Sequence, residues 1–183
     1  MVSFQPNDEQ QMIRDTVASF AAEQIRPLAH DADESGTIPE SIIQQGWELG
    51  LTQSIIPEAH GGMGDTHSAI TGSLIAEELA WGDLSIAMHL MAPRLLAYPV
   101  LEMGTPEQQA QLLPAFAGES FHAGSSALVE PRYDFDVFSL STTAKSDNDA
   151  YVLNGSKCFV PLANDASHIL VYARTGDTEG YDS

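Results

Sequence analysis

Several groups of residues have side chains able to do chemistry, and their spacing decides what each can do. Gly61-Gly62-Met63-Gly64 is a glycine-rich loop of the kind that cradles phosphate. No Lys-Ser or Lys-Thr follows it and no strand of convincing length leads into it, so it reads as a flexible connection. His30, Asp31, Asp33 and Glu34 offer metal-ligand chemistry without a metal-ligand spacing, and read as a solvated turn where a helix ends. Glu77 and Glu78 are helix neighbours whose side chains diverge by about 100°, so they cannot share one proton as a catalytic pair does. One is expected at the surface and the other in a polar contact. His89, one turn from Ser85 and flanked by Met88 and Met91, reads as a core or interface histidine. Cys158 is the single cysteine and reads as a small buried hydrophobe on a strand; alone it forms no internal disulfide and no thiolate metal site. No Ser, His and Asp grouping has a spacing that argues for nucleophilic catalysis.

These residues sit on two kinds of element. From Asn7 to His30 the apolar positions Met12, Ile13, Val17, Phe20, Ala21, Ile25 and Leu28 recur at intervals of three and four, behind an Asn7 or Asp8 suited to capping the first turn. A second helix runs from Pro39 to Leu49, with Gly50 as its stop. A third carries Ile70, Leu74, Ile75, Leu79 and Trp81. A fourth runs from Leu84 to about Met103, interrupted by Pro93 and Pro99, and a fifth from Gly104-Thr105-Pro106-Glu107 to Phe116. Short loops between them predict an up-and-down bundle. Beyond Gly118 the period changes, with candidate strands at Ser125 to Val129, Val137 to Ala144, Tyr151 to Leu153, Ser156 to Val160 and Ile169 to Ala173. Asn154-Gly155 is the strongest hairpin-turn signal, because both residues tolerate positive φ. The fold class expected is therefore α+β: an all-α domain over 1–118, then a partial antiparallel β-barrel or sheet over 119–183.

Composition limits the partners. A chain of 183 residues, 43% of them hydrophobic, can bury roughly 70% of its unfolded surface and support one good core or two small ones. Acidic residues outnumber basic ones 26 to 7, for a formal net charge of -19. Such a surface repels phosphate backbones and anionic lipid, so neither nucleic acid nor membrane is an expected partner. No basic stretch followed by an apolar run opens the sequence, and no segment is expected to approach the roughly 18 apolar residues that span a bilayer. A cytoplasmic location is the expectation.

The ordered set of segments resembles the acyl-CoA dehydrogenase family over essentially the whole chain. The resemblance is carried by Phe20-Ala21-Ala22-Glu23-Gln24-Ile25-Arg26-Pro27-Leu28-Ala29, by Leu49-Gly50-Leu51 with Ile56-Pro57-Glu58-Ala59-His60-Gly61-Gly62-Met63-Gly64, and by Ala76-Glu77-Glu78-Leu79-Ala80. Gly104-Thr105-Pro106-Glu107-Gln108-Gln109 leading to Leu113-Pro114, Leu128-Val129-Glu130-Pro131, and Tyr151 to Phe159 complete it. It implies an N-terminal helical domain, a middle β domain and a C-terminal helical domain, assembled as dimers or tetramers, with homo- or hetero-oligomers of family members as partners. It also implies FAD as cofactor and an acyl-CoA thioester as substrate. In the family a glutamate removes the α proton while the β hydrogen leaves as hydride to the flavin. That glutamate usually comes from the C-terminal domain, which this sequence does not contain, so no residue here is assigned as base.

The same resemblance assigns cofactor-binding positions to Leu128, Val129, Glu130, Phe159, Val160 and Pro161, with Phe159 as the aromatic expected to pack on the isoalloxazine. Departures from the family pattern fall among them. Val129 stands where a threonine is usual, Asp134-Phe135-Asp136 where Gly-Ser-Asp is usual, and Val160-Pro161 where Ile-Thr is usual. A hydroxyl and a backbone N–H donor are lost, and Asp134 adds a carboxylate near the expected pyrophosphate. Each lost hydrogen bond costs roughly 1–3 kcal/mol, so the resemblance implies weakened or lost FAD. Two readings follow: part of an FAD-dependent dehydrogenase that needs further polypeptide or a partner, or a non-catalytic, flavin-poor scaffold subunit of a heteromeric one. A flavin monooxygenase or nitroalkane-oxidising relative with the same architecture is a third.

Overall fold

In the computed structural model, which describes residues 5–176, the chain folds into two units that part between His122 and Ala123. The first is all helix. Asn7 opens α1 (Asp8–Phe20): its side chain accepts from the Gln10 N–H, and the Gln10 side chain accepts from the Asn7 N–H, a reciprocal cap that pairs two amides no helix turn could satisfy. The helix loosens into a π turn at Ala21–Ile25 and yields before Pro27, which has no N–H to donate. The run from His30, expected as a turn, is instead a short helix, α2 (Ala29–Ser35). None of its residues is buried, so the expected solvation holds although the expected conformation does not.

Helices α3 (Glu40–Glu48) and α4 (Ala69–Gly82) follow the sequence expectation closely. Gly50, after α3, takes the left-handed φ of 73° that ends a helix at little cost to glycine. The fourth expected helix is two: α5 (Leu84–Met91), capped by the Asp83 carboxylate on the Ile86 N–H, and α6 (Arg94–Met103), which begins after buried Pro93. The expectation that no segment reaches membrane-spanning length fails here. Leu84–Met103 is long enough and has a mean hydropathy of 1.3, but half of it is buried inside the unit, as suits a core helix. Helix α7 (Pro106–Leu112) repeats the α1 cap, with Thr105 and Gln108 as the reciprocal pair, and a 3₁₀ turn, Leu113–Phe116, closes the bundle.

The core joins α1, the π turn, α3, α4 and α5 through Val17, Phe20, Ala21, Ile25, Ile42, Ile75, Leu79, Ile86 and Leu90. Residues 113–122 belong to this unit because they pack back on it. Phe116 is buried, the Trp47 Nε1–H donates to the Gly118 carbonyl at 2.9 Å, and Phe121 meets Trp47 edge-on at 5.4 Å. The unit boundary therefore falls after His122 rather than after Gly118.

The second unit is built from β1 (Gly124–Ala127), β2 (Thr143–Asp147), β3 (Ala150–Asn154) and β4 (His168–Val171). β2 and β3 form an antiparallel hairpin in place of the one expected between residues 151–153 and 156–160, and β1 and β4 pair in parallel. The backbone just past β4 continues along β2, where Ala144 N–H donates to the Arg174 carbonyl and Arg174 N–H to the Thr142 carbonyl. The hairpin turns at Asn148, whose φ is 54°, and not at Asn154-Gly155. Asn154 is the last ladder residue, paired with Thr143, and Gly155 is needed for close packing: a Cβ there would lie 2.5 Å from Thr142 Oγ1. Of the expected strands, 137–142 and 156–160 are irregular.

Candidate functional site

The two segments assigned to a cofactor, residues 128–130 and 159–161, are far apart in sequence, yet one side chain just before the second ties them together. The Lys157 ammonium donates to the Leu128 carbonyl at 2.9 Å and to Glu130 Oε1 at 3.1 Å, and the Cys158 N–H donates to the Val129 carbonyl at 2.9 Å. Leu128, Val129 and Glu130 thus lie beside the stretch leading into Phe159, Val160 and Pro161. The local sequence enforces this: β1 ends at Ala127, where Tyr172 N–H still donates to the Ala127 carbonyl, and the free carbonyls beyond it meet the returning segment.

Glu130 is the hub. It is 3% exposed, and its carboxylate accepts from the Ser141 and Thr142 N–H groups, each at 2.7 Å, as well as from Lys157. Arg132 Nε stands 3.7 Å from its second oxygen. Burial pushes the Glu130 pKa up, but the Ser141 and Thr142 backbone donors, the Thr142 side chain and Lys157 outweigh it and hold the group at about 2. Glu130 is therefore an anion at neutral pH with its oxygens engaged inside the protein, and it organises the segments around it. Arg132 also donates to the Ser139 carbonyl and approaches Asp134 at 4.0 Å, so the loop from Pro131 to Ser141 is closed by its own charges.

The same bonds explain the missing strands. The amides of Ser141 and Thr142, which a strand over 137–144 would give to a ladder, go to Glu130. Phe159 has a φ of 52° and Leu162 the same, which stops an extended run after Cys158. Phe159 is 86% exposed. A bulky aromatic held in the left-handed region with its ring in solvent is strained and unsupported, the kind of conformation that persists where a ligand uses it.

Fit to a flavin is divided along these lines. Phe159, Val129 and Val160 have side chains of a kind that suits a flat aromatic ring. Val129 offers no hydroxyl, Pro161 no N–H, and the Asp134 carboxylate with Phe135 does not suit a pyrophosphate. Cys158, expected to be buried, is half-buried and free.

The other candidates separate from this site. In the glycine loop every amide from Gly62 to Asp65 donates internally, to Pro57, Gln53, Ile56 and Ser54 carbonyls, so none is left for a phosphate. Among the described residues no group of three His, Cys, Asp or Glu could hold a metal. Glu78 reaches Arg14 at 3.9 Å while Glu77 is exposed, and His89 stacks on Phe121 at 5.2 Å. Sequence reading missed Lys157 as the clamp and Ser141 and Thr142 as its anchors. Its available signal was a lysine, in a chain with few basic residues, set next to Cys158 and Phe159, where it needs an anionic partner.

Family models agree with this architecture: the acyl-CoA dehydrogenase N-terminal domain matches residues 7–120 and the acyl-CoA dehydrogenase middle domain residues 125–183. The chain belongs to the acyl-CoA dehydrogenase family. It is 35% identical over 173 residues to a cyclohex-1-ene-1-carbonyl-CoA dehydrogenase of Geobacter metallireducens, covering 94% of this chain and 45% of that protein. It is 36% identical to a probable acyl-CoA dehydrogenase of Bacillus subtilis, covering 96% of this chain and 46% of that protein. Among solved structures, butyryl-CoA dehydrogenase from Megasphaera elsdenii is similar at a TM-score of 0.79 and 30% identity, over 98% of this chain and 47% of that one. A glutaryl-CoA dehydrogenase of Mycobacterium smegmatis, described in complex with FADH2, shares the fold at a TM-score of 0.78 and 24% identity, over 95% of this chain and 44% of that one. The chain spans about half the length of the curated relatives it matches.

Proposed function

We propose that this chain supplies the helical domain and part of the flavin-facing sheet for FAD-dependent α,β-oxidation of an acyl-CoA thioester, acting together with further polypeptide in a homo- or hetero-oligomer. The observation that carries the proposal is the Lys157 clamp, which sets the Leu128-Val129-Glu130 and Phe159-Val160-Pro161 segments side by side. The names of the similar proteins support the substrate class, since they describe dehydrogenases of CoA thioesters.

In this reading Phe159 and the Val129 and Val160 side chains hold the flavin ring. FAD, when bound, supplies the hydride acceptor. Lys157 and Glu130 keep the two backbone segments at fixed spacing, and that rigidity lowers the entropy lost when a ring docks. None of the residues here is assigned the proton-abstracting role. A cytoplasmic setting belongs to the proposal on the strength of the acidic composition and lone cysteine.

Val129, Phe135 and Pro161 favour a second reading, a flavin-poor scaffold subunit. Gentle purification followed by a visible spectrum and release of the bound chromophore tests both. A yellow protein that releases FAD supports the first reading. A colourless protein that takes up no FAD on titration and co-purifies with a related chain supports the second and overturns the first.

A further inference from the structure

Arg94, on the first turn of α6, is 6% exposed, deep in a protein with few cations. One of its nitrogens, Nη2, donates to the Tyr98 hydroxyl, and the guanidinium lies 5.0 Å from the Tyr98 ring centre. Its Nε and Nη1 have no hydrogen-bond partner among the described residues. A buried guanidinium with two idle donors is costly, and buried cations are ordinarily paired.

The same residue lines a cavity of about 610 Å³ within the helical unit, a volume in the range of small-molecule sites. Its walls are mixed. Ile13, Leu51, Met63 and Ile75 give it apolar surface, and Tyr98 lies beside Arg94. Glu9 and Asp65, both exposed, also line it. These carboxylates and the net charge of -19 oppose a bare, strongly hydrated anion. An anion that carries its own apolar body overcomes this by burying that body against the apolar wall while its head meets the guanidinium.

We propose that this cavity is a binding site for a small organic oxyanion, with Arg94 pairing the anionic head and the Ile13, Leu51, Met63 and Ile75 wall taking a short apolar body. The site lies wholly within the helical unit and does not depend on the flavin reading.

The test titrates the full chain, at fixed ionic strength, with hexanoate, hexyl phosphate and 1-hexanol, by calorimetry and by following the Arg94 side-chain N–H resonance in ¹⁵N-labelled protein. Saturable binding of hexanoate or hexyl phosphate, at least roughly tenfold tighter than 1-hexanol and with a shifted Arg94 resonance, is expected. Whichever anion binds tighter identifies the head group as carboxylate or phosphate. Arg94→Met should bring the anion's affinity down to that of the alcohol while leaving the unligated melting temperature unchanged or higher, because an unpaired buried charge is gone. If that variant does not fold, the wild-type Arg94 resonance still decides. Equal binding of alcohol and anions, an Arg94 resonance that stays in place, or no saturable binding overturns the proposal.

Discussion

The Glu130 carboxylate and the Lys157 ammonium lie 3.1 Å apart, with 2% and 9% of their side chains exposed. A pair this enclosed is held because every oxygen has a donor: Ser141 and Thr142 amides on one side, Lys157 and the nearby Arg132 on the other. Breaking it from one side leaves a buried charge without compensation.

Replacing Glu130 by alanine should therefore destabilise the β unit by about 3–5 kcal/mol, since it orphans Lys157 and two backbone amides together. Glu130→Gln keeps one of the two acceptor oxygens and should cost less than the alanine. Hydrogen exchange at the Ser141 and Thr142 amides reads the effect locally, and unchanged protection in Glu130→Ala would contradict it.

Acid should act through the same residue. Glu130 is held at about 2 in the folded chain against an ordinary value of 4.5, so its folded pKa is depressed. The stabilisation, about 3 kcal/mol at about 1.4 kcal/mol per pH unit, is fully present above the ordinary value and drains away as the pH falls through the folded one. Stability of the β unit measured between those limits should fall with pH in the wild type and much less in Glu130→Gln. Parallel curves would be inconsistent with the hub.

Gly155→Ala should cost about 1–3 kcal/mol, because the new methyl would sit 2.5 Å from Thr142 Oγ1 and 2.6 Å from its Cα. Asn148→Gly, at the true turn, relieves a left-handed φ of 54° and should be neutral or stabilising within about 1–2 kcal/mol. Urea denaturation of the two variants checks the contrast. The reverse order would restore Asn154-Gly155 as the turn.

The helices were legible because their signals are local. The Asn7 and Thr105 caps, the three-four spacing of Val17, Phe20 and Ala21, and Pro93 act within one or two turns. The β unit was half legible because its decisive bonds are long-range. Nothing near Val137 announces that the Ser141 and Thr142 amides will be taken by Glu130, and nothing near Ser156 announces that Phe159 will take a left-handed φ. The candidate site positions follow from family resemblance, whereas the role of Lys157, which positions them, lies in contacts between irregular segments remote in sequence.

Phe159 and the segments joined by Lys157 are the platform proposed for the flavin ring. Titrating the wild-type chain and Phe159→Ala with FAD, following quenching of flavin fluorescence, tests it most directly. Saturable quenching is expected in the wild type, with a dissociation constant raised by at least about tenfold in the variant, the loss of roughly 1.4 kcal/mol of ring contact. Absence of saturable quenching, or the same constant in both proteins, would contradict it.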